Sequence, residues 1–353
     1  VVPDSGCGSW LFEPQSTNLI TQSELFSDAV WTKVEASVTS GFSSPDGLTN
    51  AYKLIASVNN SNHRIRSAII PTAAVGTTVT FSIYIKPQEI TKIALVDNWT
   101  NLSYGVVNLT TNSVIEEAQG TTSVTEILNG FRRVSFTYQT ANINTLPAVY
   151  LLDDGYTSGN PTSYTFASDG TSGVYIWGAQ IEALSYATSY IPTSGSTVTR
   201  NQDLCTNGAT GTGLINSTEG TLYADFYTEA NSVDKWFSLS DGTNTNRVIV
   251  YISAANTLRI YVQNSSGGQA DFGSSITLGQ YNKVAFKYKE NDFSLFLNGV
   301  KVGTDTNGGV PSGLNRLNFS NADGIGNPFY GKTKCLAVWK EALSDAELTE
   351  LTT

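Results

Sequence analysis

The chain has 353 residues, enough for two cores of roughly 150 to 200 residues each, and only 14% of them are charged, against roughly 25% in an average globular protein. Its formal net charge is −10, with 20 Lys and Arg against 30 Asp and Glu, so it lacks the positive field that a phosphate backbone needs and nucleic acid is not expected as a partner. No stretch nears the roughly 18 consecutive apolar residues of a membrane span, and no basic segment leads into an apolar one at the N-terminus, so membrane insertion is not expected either.

Taken in chain order, β-branched and alternating runs predict strands at Thr78 to Ile85, Lys92 to Val96, Tyr104 to Leu109, Arg132 to Tyr138, Ala148 to Leu152 and Val174 to Ile181. Between them stand turn signals: Pro45-Asp46-Gly47, Asn129-Gly130, Asp154-Gly155 and Ser158-Gly159-Asn160-Pro161. The polar stretch Thr193 to Asp203 has no apolar period and reads as a linker, placing a domain boundary near residue 200. Beyond it strands are expected at Gly220 to Thr228, Trp236 to Leu239, Arg247 to Ile252, Thr257 to Gln263, Lys283 to Tyr288, Phe293 to Asn298 and Gly331 to Trp339. Asn298-Gly299 is the sharpest local signal, because that pair suits the type I′ turn of a two-residue hairpin. Ser344-Asp-Ala-Glu347 is a capping box and predicts one short helix at the C-terminus.

The expected fold is therefore all-β: two tandem antiparallel β-sandwiches with one short C-terminal helix, to which the resemblance given below adds the jelly-roll type. The expected division is an N-terminal extension over 1–16, a first sandwich over 17–199, a linker over 200–205 and a second sandwich over 206–353. A hydrophobic content of 40%, with 17 Tyr, 15 Phe and 6 Trp, suffices to fill both cores. The chain starts at Val1 and contains no Met, which leads us to expect an upstream part. Cys7, Cys205 and Cys335 lack the C-x-x-C spacing of a zinc site. Two readings of them stay open: three unpaired thiols, or a Cys205–Cys335 bridge with Cys7 left over.

Leu11-Phe-Glu-Pro-Gln-Ser-Thr-Asn-Leu-Ile20, Ser23 to Lys33, Trp177-Gly-Ala-Gln-Ile-Glu182 and Ala187-Thr-Ser-Tyr-Ile-Pro-Thr193 together resemble the carbohydrate-binding-like jelly rolls found in bacteriophage structural proteins, over roughly residues 10 to 200. Gly220-Thr-Leu-Tyr-Ala-Asp-Phe, Phe296-Leu-Asn-Gly-Val, Phe329-Tyr-Gly and Leu343-Ser-Asp-Ala-Glu-Leu348 are similar to a laminin-G or concanavalin-like lectin sandwich. These resemblances imply a virion surface protein (fibre, tail or capsid decoration) that is non-enzymatic, homo-oligomeric and often trimeric. Its partners would be glycans and other virion subunits, at a virion surface or otherwise extracellular. The alternatives are a secreted lectin, the non-catalytic arm of a polysaccharide-degrading enzyme, or a structural decoration without sugar binding.

Catalytic residues are not expected. His63 is the single histidine, read as a surface or turn residue, so at most one imidazole base exists. Glu116-Glu117 and Asp153-Asp154 are neighbours that would point to opposite faces of a strand, and they read as solvated turn charges. Sugar binding asks instead for flat aromatic faces beside amide, carboxylate or guanidinium groups. Asp97-Asn98-Trp99 with Tyr104 offers one such group, Asp154-Gly155-Tyr156 a second, and Trp236 with the polar loop containing Asp241 a third. The candidate glycan contacts are thus Trp99, Tyr104, Asp97, Tyr156, Asp154, Trp236 and Asp241, while Trp31, Trp177 and Trp339 are assigned to cores. No cofactor is expected. Structural calcium is left open, with Asp241, Asp305 and Asp323 as the acids at hand.

Overall fold

In a computed structural model describing residues 8–210, 213–229 and 233–353, the chain separates into two compact units, residues 15–201 and residues 202–353 together with the N-terminal segment up to Pro14. The architecture is the expected one, antiparallel sheets with a single α-helix among the described residues.

The unit over 15–201 packs two six-stranded sheets. One runs Ser113–Ala118, Tyr104–Asn108, Lys92–Asp97, Pro147–Leu152, His63–Arg66 and Thr32–Val34. The other runs Gly120–Glu126, Arg132–Gln139, Thr78–Pro87, Gly173–Glu182, Ala51–Ala56 and Ala36–Phe42. Period-two alternation sends Phe81, Ile83, Ile93, Leu95, Phe136, Val149 and Ile176 into the shared core. On the first sheet the residues between them, Ala94, Val96, Tyr150 and Leu152, are also buried, in a smaller cluster with Tyr104 and Tyr156.

The motifs that carried the first resemblance form a buried polar clasp. Asn18 is fully buried and makes four hydrogen bonds: its Oδ1 accepts from Ile20 N (3.1 Å) and Ile181 N (3.2 Å), and its Nδ2 donates to Ala179 O (3.2 Å) and Ile191 O (2.9 Å). Glu182, also fully buried, accepts from Ser16 Oγ, Thr188 Oγ1, Thr188 N and Gln180 Nε2. A buried carboxylate survives only with its lone pairs used in this way. Gly178 lies at the bulge where Gly173–Glu182 shifts register against Thr78–Pro87. Its φ of +63° suits glycine, and an added Cβ would sit 3.0 Å from the Tyr84 ring.

Three expectations for this unit need correction. His63 is fully buried on a strand: Nε2 lies 2.8 Å from Phe166 O and Nδ1 2.6 Å from Glu35 O. Alternation puts it on the core face with Ile65 and sends Arg64 and Arg66 to the other face. Glu116 and Glu117 stand on the edge strand Ser113–Ala118, not in a turn. Asp153 is not simply solvated, since it accepts from Gly155 N (3.1 Å) and the Tyr164 hydroxyl.

The second unit stacks a six-stranded sheet, Trp10–Phe12, Gly331–Trp339, Glu219–Tyr227, Tyr281–Lys289, Phe293–Leu297 and Val300–Asp305, on a five-stranded one, Gly267–Ser275, Thr257–Asn264, Arg247–Ile252, Lys235–Ser240 and Arg316–Asn318. Trp10–Phe12, expected within an N-terminal extension, is instead an edge strand paired with Gly331–Trp339 in the register Trp10 opposite Thr333. Phe12 stacks on Phe319 at 4.6 Å, which gives that short strand its apolar anchor. Asn298 and Gly299 take φ of 47° and 81°, as the type I′ turn requires. The helix Asp345–Thr352 carries the predicted capping box and buries Leu348 against Tyr223, Ala285 and Phe296, with Trp339 half-buried beside it. Cys205 is a free, half-buried thiol, so it is not bridged to Cys335, and Cys7 lies outside the described residues.

Candidate functional site

The best-formed candidate lies on the outer face of the first sheet in unit 15–201. Arg64 and Arg66 share that face because they are two residues apart on one strand. In register, Arg64 stands opposite Tyr150 and Arg66 opposite Thr32. The turn after Lys92–Asp97 overhangs them. Asp97, buried behind it, accepts at Oδ1 from Trp99 N (3.2 Å), Leu146 N (3.0 Å) and Thr145 Oγ1 (3.2 Å), and Asn98 N donates to Leu146 O (2.9 Å). These bonds fix the turn and turn the Trp99 side chain outward, 38% exposed. Between Trp99, Asn98, Leu146, Arg66, Ile69 and Thr32 lies a cleft of about 440 Å³, within the roughly 300 to 1,000 Å³ typical of small-ligand sites.

The polar groups facing the cleft are only partly used. Asn98 Nδ2 donates to the Tyr150 hydroxyl at 3.0 Å, while its buried Oδ1 has no partner. The Arg64 guanidinium lies over the Tyr150 ring at 5.4 Å and donates to Asn62 Oδ1. Burial pushes the Tyr150 hydroxyl pKa up, against the pull of Arg64 and Arg66 and the Asn98 hydrogen bond. The Nε atoms of Arg64 and Arg66 are buried without partners, and among the described residues neither arginine forms an ion pair. No Asp, Glu, His or Cys lines the cleft. It can bind through a ring face, amides and a cation, and it supplies no acid or base. A second depression of about 560 Å³, over Val75 to Thr78, Gln119, Gly120 and Thr137 to Ala141, is larger but carries no charged side chain and no exposed ring.

The seven residues expected to touch sugar are scattered. Only Trp99 borders the cleft. Asp97 is 1% exposed and holds the turn from within. Tyr104 and Tyr156 are buried, and each donates its hydroxyl to Glu116, at 3.1 and 3.2 Å. This pins the 153–166 loop onto the sheet, and burial beside the Glu116 charge drives the Tyr156 pKa upward. These three are structural because their polar tips are already satisfied inside. Asp154 is exposed, but its strand ends pair Lys92 with Leu152, at the opposite end of the ladder from Asp97 and Trp99. In the other unit, Trp236 and Asp241 flank the strand Lys235–Ser240 at opposite ends, roughly 16 Å apart at 3.3 Å per residue. Trp236 packs at 5.4 Å against Tyr251 and at 6.0 Å under Arg247, which is itself held by Asn244 and Gln263. Against the upward push of partial burial, hydrogen bonds from Thr243 and Asn246 hold the Asp241 carboxyl below its ordinary range.

Sequence reasoning missed Arg64 and Arg66, although the signal was present: His-Arg-Ile-Arg is a four-residue alternation with both cations on one face. Among the described residues no three His, Cys, Asp or Glu side chains converge on a metal site. Asp241, Asp305 and Asp323 each accept hydrogen bonds from their own turns. No described helix is long and apolar enough to cross a membrane.

Fold and site together define a protein of two antiparallel β-sandwiches, the first of them with an exposed indole and a guanidinium beside one cleft. Residues 199–349 match the family described as the concanavalin A-like lectin/glucanases superfamily. No curated protein matches the chain. Among solved structures, the chain is similar to the Ruminococcus gnavus IT-sialidase CBM40 bound to alpha2,3 sialyllactose, at 21% identity and TM-score 0.35, covering 39% of this chain and 84% of that one. It is also similar to the SAP-like pentraxin of Limulus polyphemus, at 16% identity and TM-score 0.31 over 42% and 74%. A third similarity is to mouse laminin alpha1 domains LG4-5, at 12% identity and TM-score 0.28 over 83% and 88%.

Proposed function

We propose that this chain is a non-enzymatic glycan-binding protein, displayed on a virion surface and working in adhesion through weak sites repeated over a homo-oligomer. The observation that carries the reading is the Trp99 cleft: an exposed indole on a hydrogen-bonded turn at the end of a sheet strand, beside an unpartnered amide oxygen and a guanidinium and without a carboxylate to do chemistry. An indole face stacks on the apolar side of a pyranose ring while the polar neighbours bond its hydroxyls. The lectin-like match over residues 199–349 supports a second glycan-binding module in the same chain. Joining several such sites raises effective concentration, so millimolar single-site affinity is sufficient for adhesion.

A glycan array probed with the assembled protein tests the reading, with Trp99→Ala as the matched variant. Binding that falls at least tenfold in Trp99→Ala, with the fold intact by circular dichroism, supports it. A blank array at high occupancy refutes the adhesive role and leaves structural decoration. Release of reducing sugar from cell-surface polysaccharide would refute the non-enzymatic assignment. Antibody labelling of purified particles separates the virion setting from a secreted lectin, which would stain culture supernatant and leave particles bare.

A further inference from the structure

We propose that the Trp99 cleft selects acidic saccharides, with the Arg66 guanidinium pairing with a sugar carboxylate; the proposal rests on the glycan-binding reading above and names its ligand class. The first argument is charge. Arg64 and Arg66 sit on one face of one strand, roughly 7 Å apart along the chain. Two cations so close repel each other unless an anion lies between or beside them. The chain has 30 acids against 20 Lys and Arg, and it pairs some of its cations elsewhere: Lys53 with Glu89 at 2.8 Å, Lys289 with Glu219 at 2.8 Å, and Lys301 with Asp345 at 3.0 Å. On this face it supplies no such partner. Of the two carboxylates on the far edge strand, alternation puts Glu116 on this face and Glu117 on the other, and Glu116 stands four strand spacings or about 19 Å from Arg66. That exceeds the Debye length of about 8 Å at physiological salt, and Glu116 is occupied by Tyr104 and Tyr156. The Asp97 carboxylate is buried on the core side of the sheet, beside Tyr138, where its Oδ1 accepts from Trp99 N, Leu146 N and Thr145.

The second argument is hydrogen bonding. Arg66 lines the cleft, and no hydrogen bond of its guanidinium to any described residue accompanies its unpartnered, buried Nε. A guanidinium presents its donors as a planar fork that matches a carboxylate in a bidentate pair. Asn98 Oδ1, buried and unpartnered at the same cleft, waits for a donor such as the hydroxyl next to a ring carboxylate. The indole of Trp99 then takes the apolar ring face. The net charge of −10 opposes an anion at long range, but screening beyond the Debye length leaves the contact pair dominant.

The test is calorimetric titration of the full chain with an oligogalacturonide, an oligomannuronide and a sialylated trisaccharide, each beside its carboxyl-reduced counterpart and a sulfated neutral oligosaccharide. The wild type is expected to bind at least one carboxylated sugar about tenfold or more tighter than its reduced form, with affinity that weakens as salt rises. Arg66→Gln removes that preference, costing the carboxylated sugars about tenfold to a hundredfold for a charged hydrogen bond and their reduced forms less. Arg66→Lys restores part of it as a point charge. Trp99→Ala weakens acidic and neutral sugars alike. Equal binding of acidic and reduced sugars, or an Arg66→Gln variant that behaves as wild type, overturns acid selectivity while leaving glycan binding in place. Preference for the sulfated sugar overturns the carboxylate assignment. A wild type that binds none of the saccharides, even when assembled, overturns the glycan-binding reading itself.

Discussion

Replacing Asn18 with Ala removes four hydrogen bonds at one stroke, with donor to acceptor distances of 2.9 to 3.2 Å. At about 1 kcal/mol of net stability each, their sum is about 4 kcal/mol, near the top of what single substitutions cost. The site is fully buried, so the backbone groups of Ile20, Ala179, Ile181 and Ile191 are left without partners or solvent. For a unit of this size the loss corresponds to a fall in Tm of about 8 to 16 °C. Urea unfolding followed by tryptophan fluorescence reads it: Trp31, Trp99 and Trp177 lie in residues 15–201, and Trp10, Trp236 and Trp339 in the other unit, so the loss is expected in the part of the signal that the first three carry, with the other unit's transition unmoved. The neighbouring exposed pair Thr17–Thr199, 2.8 Å apart between hydroxyls, provides the control, and Thr199→Ala is expected to move stability by less than about 0.5 kcal/mol. An Asn18→Ala loss below about 1 kcal/mol would refute the claim that this clasp holds residues 16–23 to the sandwich.

Other consequences are as direct. Trp99→Ala, exposed and bonded only through its backbone, should leave stability within about 0.5 kcal/mol while sugar binding falls, as melting curves and titration would show. Tyr156→Phe loses the bonds to Glu116 and Gly159 O, which costs about 1 to 3 kcal/mol in chemical denaturation and leaves sugar affinity unchanged, since Tyr156 does not border the cleft. Gly178→Ala forces an L-residue to φ +63° against the Tyr84 ring, and urea unfolding should show a loss of about 1 to 2 kcal/mol or more. Burial lowers the Lys235 pKa to about 8, against the pull of Glu229. Between about pH 8 and pH 10 the unfolded amine is protonated and the folded one is not, so stability of the second unit rises with pH across that window, by about 3 kcal/mol at most. Lys235→Met should flatten the rise in pH-dependent denaturation curves.

What was legible in the sequence follows from where each strand sits. Thr78–Pro87, Lys92–Asp97 and Gly173–Glu182 lie inside their sheets, and their β-branched runs announce them. Ala36–Phe42, Ser113–Ala118, Gly120–Glu126 and Gly267–Ser275 are edge strands, polar or Gly-rich, and none carries a readable alternation. A neighbour's hydrogen bonds pin them, so their own side chains need not. The candidate site was legible in one residue of seven. Trp99 stands two residues from Asp97 in the chain, yet the two serve opposite sides of the turn, and Tyr104 and Tyr156 resemble binding aromatics in composition while acting as anchors for a loop.

Hydrophobic alternation, the Asn298-Gly299 turn and the capping box at Ser344 are local quantities, and they determine from sequence alone that this chain builds antiparallel sandwiches and ends in a helix. Which polar residue is inside is not local. His63 and Arg66 lie three positions apart on one strand, one fully buried between carbonyl groups and the other on an open cleft. Only the assembled sheet, by choosing which face meets the core, decided that difference and with it the position of the candidate site.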